Sequence, residues 1–280
     1  MRRAFAEEVA KPQESIRLEY AALLVGAEDL AHEHFDIEAY LQRLEDWAAQ
    51  ARERLAASSS MGRLQTTVEI FNHFMFEELE LSGNQLDYYD PRNSYLHKVI
   101  DRRTGIPITL SIIYMEVARR AGLLVEGIGF PGHFIVRVRE RDAPEDFQLV
   151  DPFNHKTLRM EDCQDRLDEA YDGRVRLTEE HLRAINVRAI LVRLLTNLKA
   201  IYARAELYRQ ALSTVERILL VAPHSVDERR DRGALLAQLD RLPEAIREAE
   251  AYLQLAPHAA DAEQVREHLK ALQRRQATLN

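Results

Sequence analysis

Two residues near the middle of the chain have the types and order of a general base and the acid that orients it. They are His133, in Pro131-Gly132-His133-Phe134, and Asp151, in Val150-Asp151-Pro152-Phe153. Nucleophilic triads of this order place a thiolate at a helix N-terminus, an imidazole to take its proton and a carboxylate to fix the imidazole. The helix that should carry the nucleophile begins in Gly105-Ile106-Pro107-Ile108-Thr109-Leu110-Ser111, and no cysteine is there. Ordinary thiol chemistry is therefore lost, and two readings stay open. In one, His133 and Asp151 lock the sheet or line a binding pocket, and Asp151 before Pro152 caps a turn. In the other, Thr109 or Ser111 is a hydroxyl nucleophile activated by His133, which the high pKa of a hydroxyl demands.

The remaining candidates are weaker. The single cysteine, Cys163, lies in Met160-Glu161-Asp162-Cys163-Gln164-Asp165. An acidic stretch raises a thiol pKa, so Cys163 reads as a spectator, and one cysteine excludes an internal disulfide and a multi-cysteine zinc site. His133, His155 and Asp151 lack a ligand spacing, so no metal and no cofactor is expected. Arg102-Arg103 and Arg119-Arg120 read as solvated faces.

For His133 and Asp151 to act together, the elements that carry them must pair. Residues 124–130, 134–139 and 147–150 read as strands, and Phe134, Val136 and Val138 alternate with Ile135, Arg137 and Arg139. Asp142-Ala143-Pro144-Glu145-Asp146 is a polar turn, which makes the last two strands an antiparallel hairpin. With residue 139 opposite 147, residue 133 falls opposite 153, and His133 and Asp151 share one face within side-chain reach. Ahead of the strands, Ile108 to Ala121 is apolar on nearly every side, the pattern of a buried helix with Pro107 in its first turn and Gly122 at its end. Helical periodicity covers residues 14–56, breaks at Ser58-Ser59-Ser60 and resumes over 62–80. A loop at 88–94 and a short helix over 95–100 follow.

The last third contains a repeat. Leu220-Val221-Ala222-Pro223-His224 returns as Gln254-Leu255-Ala256-Pro257-His258, a shift of 34 residues. That period, with small residues at helix crossings and proline closing each unit, is the tetratricopeptide pattern. Leu198, Tyr202, Ala211 and Pro223 fit the first repeat, Gly233, Leu236, Ala245 and Pro257 the second, and a terminal helix follows over about 260–275. Arginines at 188, 193, 229, 230 and 232 would bias a groove there toward an acidic peptide, with Arg193, Asn197, Arg229 and Arg232 as candidate groove residues.

The module from Arg102 to Ser111, with Phe130-Pro131-Gly132-His133-Phe134 and Asp151-Pro152-Phe153, resembles the transglutaminase-like family of bacterial invasion-gene regulator homologues. A eukaryotic F-box protein carries a similar module. In the bacterial members a tetratricopeptide region follows, matched here from Arg193 to Tyr202 and from Arg229 to Gly233. The resemblance implies a papain-like transglutaminase core, and its spacing puts the lost cysteine near Pro107, with Thr109 the nearest hydroxyl.

Composition agrees with a globular chain. The 280 residues are 46% hydrophobic and 30% charged, with only 10 glycines and a net charge of −8. That charge argues against a nucleic-acid scaffold, and no apolar run reaches membrane-spanning length. The expectation is a mostly α fold with a small antiparallel sheet (α+β). Residues 1–184 would form a degenerate transglutaminase-like domain with a helical N-terminal part, and 185–280 the repeat region. A cytoplasmic adaptor or regulator binding a protein or peptide partner, without nucleic acid or membrane, is the function expected.

Overall fold

The computed structural model describes residues 1–29, 35–57, 64–141, 143 and 145–279. The proposed break at Ser58-Ser59-Ser60 and two residues of the hairpin turn, Asp142 and Pro144, lie outside them. Two compact units succeed one another along the chain, Met1–Ile190 and Leu191–Asn280.

The first unit is built on the helix α6 (Pro107–Arg120), buried from Pro107 to Ala118. Ile106 is extended, Pro107 occupies the first helical position, where a missing amide costs nothing, and Gly122 takes φ +95° just beyond the end. Packed against α6 are α2 (Leu18–Asp29), α3 (Ile37–Ala57) and α5 (Leu96–Arg102). An N-terminal helix, α1 (Arg2–Val9), packs on α2, and α4 (Leu64–His73) packs on α3 and widens into a π-helical turn at Phe74–Glu78. The arginine pairs are engaged with partners, although Arg119 stays exposed. Arg119 and Arg120 donate to the buried Glu116, Arg120 also to the buried Glu19, while Arg103 lies over the Trp47 ring and Arg102 reaches Asp90.

Four antiparallel strands form the sheet in chain order: β3 (Leu124–Ile128), β4 (Ile135–Arg139), β5 (Phe147–Asp151) and β6 (Lys156–Leu158). Arg139 stands opposite Phe147 and Val136 opposite Val150, the register that the alternation requires. Val136 and Val138 are buried on one face. On the other, Ile135 and Leu149 join a core with Cys163 and Leu167 of α7 (Met160–Tyr171). Sequence periodicity missed β6, three residues long, and a two-residue parallel pair, β1 (Ser82–Gly83) with β2 (Thr104–Gly105). Neither is long enough to show an alternation.

The second unit is helical among the described residues. Its elements are α8 (Val187–Arg204) from Leu191 onward, α9 (Tyr208–Val221), α10 (Val226–Gln238), α11 (Leu242–Leu255) and α12 (Ala262–Leu279). The 34-residue shift seen in sequence is also a shift in backbone geometry. Glu206 and Asp240 both take the left-handed conformation (φ 57° and 59°), and the next amides, Leu207 and Arg241, each donate to the carbonyl five residues back at 2.9 Å. Ala211 and Ala245 are fully buried. A Cβ added to Gly233 would lie 3.2 Å from the Cβ of Glu248, so α10 and α11 approach closely there. No helix among the described residues is long and apolar enough to cross a membrane.

Candidate functional site

The turn Phe130–His133 delivers the imidazole to the sheet, because the His133 amide donates to the Phe130 carbonyl just before β4 begins. Asp151 ends β5 on the same face, and His133 Nε2 lies 2.8 Å from its Oδ1. Around that pair the carboxylate is crowded with donors. Oδ1 also accepts from the amides of Phe153 (3.1 Å) and Asn154 (3.2 Å), while Oδ2 accepts from the Asn154 side chain (2.8 Å) and from Arg166 of α7. Asp151 is therefore both the partner of His133 and the cap of the turn that leaves β5.

Burial pushes the Asp151 carboxyl up, but hydrogen bonds from His133 and Asn154 and the charges of His133 and Arg166 outweigh it. The group is held below the usual carboxylate range. The Phe153 ring stands edge-on to His133, with centroids 6.1 Å apart, and leaves the imidazole 11% exposed. Sequence reasoning missed Arg166 and Asn154. The spacing Asp151 to Asn154 carries an Asx-turn signal that could have identified Asn154. Arg166 had no such signal, since nothing in the sequence says where α7 crosses the sheet.

The start of α6 offers the imidazole little. Pro107 has no nucleophilic atom. The Thr109 hydroxyl, fully buried, donates to the Asn93 carbonyl (2.8 Å) and accepts from the Ile106 amide (3.1 Å). It thus closes the first turn of the helix as a cap, a role that threonine at the third helical position often takes. Asn93 is itself pinned, its side chain donating to the carbonyls of Asp87 and Tyr88. Ser111 is buried, with its hydroxyl 3.5 Å from the Phe134 carbonyl. Base and orienting acid are paired, and the two hydroxyls face backbone groups.

Cys163 is fully buried in the core behind the sheet. Its thiol is pushed up to about 11, first by burial and then by Asp162 and Asp151 against the opposing charge of Arg166. Desolvation thus adds to the acidic sequence context as the main cause. Such a thiol is far less ionised at neutral pH than that of a free cysteine. Iodoacetamide labelling of the folded chain should be at least 100-fold slower than labelling in urea, and Cys163→Ser should leave partner binding unchanged. Labelling of the native chain at the unfolded rate would contradict this burial.

In the second unit the candidate arginines are engaged inside the helix packing. Arg232 donates to Glu248 and Arg229 lies 3.8 Å from the same carboxylate. Arg230 pairs with Asp231 and Asp261. Arg188 lies in the first unit, where it donates to the carbonyls of Val9 and Lys11. The charges of 229, 230 and 232 have carboxylate partners. Arg193 and Asn197 lie half-buried on α8.

A model of the transglutaminase-like superfamily matches residues 38–196, and a tetratricopeptide-repeat model matches residues 198–270. A UPF0162 protein of Xylella fastidiosa is 41% identical over 172 residues, 60% of each chain. A UPF0162 protein of Pseudomonas aeruginosa is 32% identical over 150 residues, 54% of each chain. F-box only protein 21 of Mus musculus is 32% identical over 148 residues, which are 50% of this chain and 23% of that protein. The matches thus span at most about 60% of these relatives' own lengths. Their names support the shared module and make no mention of invasion-gene regulation.

Proposed function

This chain belongs to the transglutaminase-like superfamily, and from that premise we propose that it is a non-catalytic adaptor or regulator that holds a protein or peptide partner through its repeat region. The observation that carries the reading is the Thr109 hydroxyl, the nearest hydroxyl to the expected cysteine position, which is engaged as a hydrogen-bond donor to the Asn93 carbonyl. With proline rather than cysteine at position 107, the paired His133 and Asp151 lack the thiol that such triads activate. His133 and Asp151 then serve as a structural clasp joining the turn before β4, the turn after β5 and α7. The unit of residues 1–184 becomes a scaffold, and 185–280 the binding part, in keeping with the use of helical repeats as peptide-binding surfaces.

Capture from a lysate of the source organism on the immobilised full-length chain tests this reading. A variant carrying Arg193→Glu and Asn197→Arg on the α8 face should lose the retained protein, while His133→Ala should keep it. Equal retention by both variants, or loss in His133→Ala alone, would move the partner site away from the repeats.

A further inference from the structure

The two repeats treat one position very differently. Lys199 of α8 lies among its neighbours with its side chain 16% exposed, and its Nζ donates to Glu228 (2.6 Å) and Asp231 (2.8 Å) of α10. Thirty-four residues later the corresponding position is Gly233, where α11 packs close enough that a Cβ would meet Glu248 at 3.2 Å. The two carboxylates that hold Lys199 are replaced at the same shift by Ala262 and Val265 of α12. The two carboxylate positions that hold the lysine between α8 and α10 are thus apolar between α10 and α12, where the Arg230–Asp261 ion pair stands instead.

An open pocket of 460 Å³ lies at that second junction. Its lining includes Gly233 and Ala234 of α10, Ala245 and Ala249 of α11, and Val265 and His268 of α12. Arg230, Asp231, Asp261 and Gln264 line it as well, and its charged groups are closed on one another. Arg230 donates to Asp261 (2.6 Å) and Asp231 (2.9 Å), Tyr252 donates to Asp261, and Asp231 also holds Lys199. A charged occupant would have to break one of these pairs, whereas an uncharged one meets alanine, glycine and valine beside Gln264 and His268.

Resting on the repeat-binding reading above, we infer that this pocket is a recognition subsite for a long, uncharged apolar side chain of the partner peptide. That side chain takes the place that Lys199 fills from within in the first repeat. Lys199 shows that a long unbranched side chain suits the position, and Ala262 and Val265 show that its tip should carry no charge. A methionine side chain has that chemistry. The volume also leaves room for the peptide backbone that carries it.

The test uses the full-length, nitrogen-15-labelled chain titrated with N-acetyl-methioninamide and, separately, N-acetyl-lysinamide. The amides of Gly233 and Ala249 should shift saturably with the first and at least tenfold more weakly with the second. Val265→Asp restores the carboxylate found at Asp231 and should reverse the order of the two probes. Should that variant fail to fold, the near-isosteric Val265→Thr replaces it, and should weaken methioninamide without strengthening lysinamide. Equal responses to both probes, no response to either, or an unchanged order in the variant would overturn the subsite. The lysate capture is read independently: a partner still lost through Arg193→Glu with Asn197→Arg would leave the repeat-binding reading standing while the pocket fails.

Discussion

Replacing Asp151 by Ala should destabilise the first unit by about 3–5 kcal/mol, the range for removing one partner from a buried, hydrogen-bonded charge pair. The carboxylate is fully buried and is shared by the His133 ring, two backbone amides, the Asn154 side chain and Arg166. Alanine leaves all of them without that acceptor at once, and the loss of hydrogen bonds to otherwise buried donors is what makes the change severe. Asp151→Asn keeps one acceptor oxygen and should cost less than half as much.

The same group sets a pH dependence. Its pKa is lowered by folding, so its stabilisation is fully present above the unfolded value of about 4 and is lost as pH falls from there through the folded value. Urea unfolding at pH 7 and pH 3 measures both effects. The wild-type loss between the two pH values should shrink in Asp151→Asn, and an Ala variant within 1 kcal/mol of wild type at pH 7 would show that the clasp does not hold the sheet.

Ala211→Leu should cost roughly 1–3 kcal/mol in the second unit through overpacking. Ala211 is fully buried on α9 and takes the small-residue position of the repeat, so three added carbons have to displace a neighbouring helix or leave their rotamer. Thermal unfolding followed by helix signal reads the change, with Ala211→Gly as a control that removes volume. A leucine variant as stable as wild type would mean the helices do not approach closely there.

Much of the arrangement was legible because it follows from periodicity. The facing of Arg139 and Phe147 could be counted along one hairpin, and it alone places His133 and Asp151 on one face. The repeat was legible for a similar reason, since Pro223 and Pro257 keep a fixed interval that reappears in the left-handed turns at Glu206 and Asp240. What sequence could not show was which charge meets which. Arg229 and Arg232 share Glu248, on the next helix, as a partner. Arg119 and Arg120 looked solvated until Glu116 and Glu19 were found buried under them. Arg166 reaches Asp151 only because α7 lies across the sheet, and Thr109 is occupied only because the loop that carries Asn93 folds back on α6. Each depends on contacts between elements far apart in the chain, which no local pattern records.

The central claim is that a paired base and acid remain where no nucleophile does. Acyl transfer measures it most directly: dansylcadaverine incorporation into dimethylcasein, with hydrolysis of p-nitrophenyl acetate alongside, using the full-length chain at high concentration. The rates for wild type, His133→Ala and Thr109→Val should be indistinguishable from one another and from a folded protein of similar composition that lacks the site. Turnover by the wild type that disappears in both His133→Ala and Thr109→Val, with both variants folded, would contradict it.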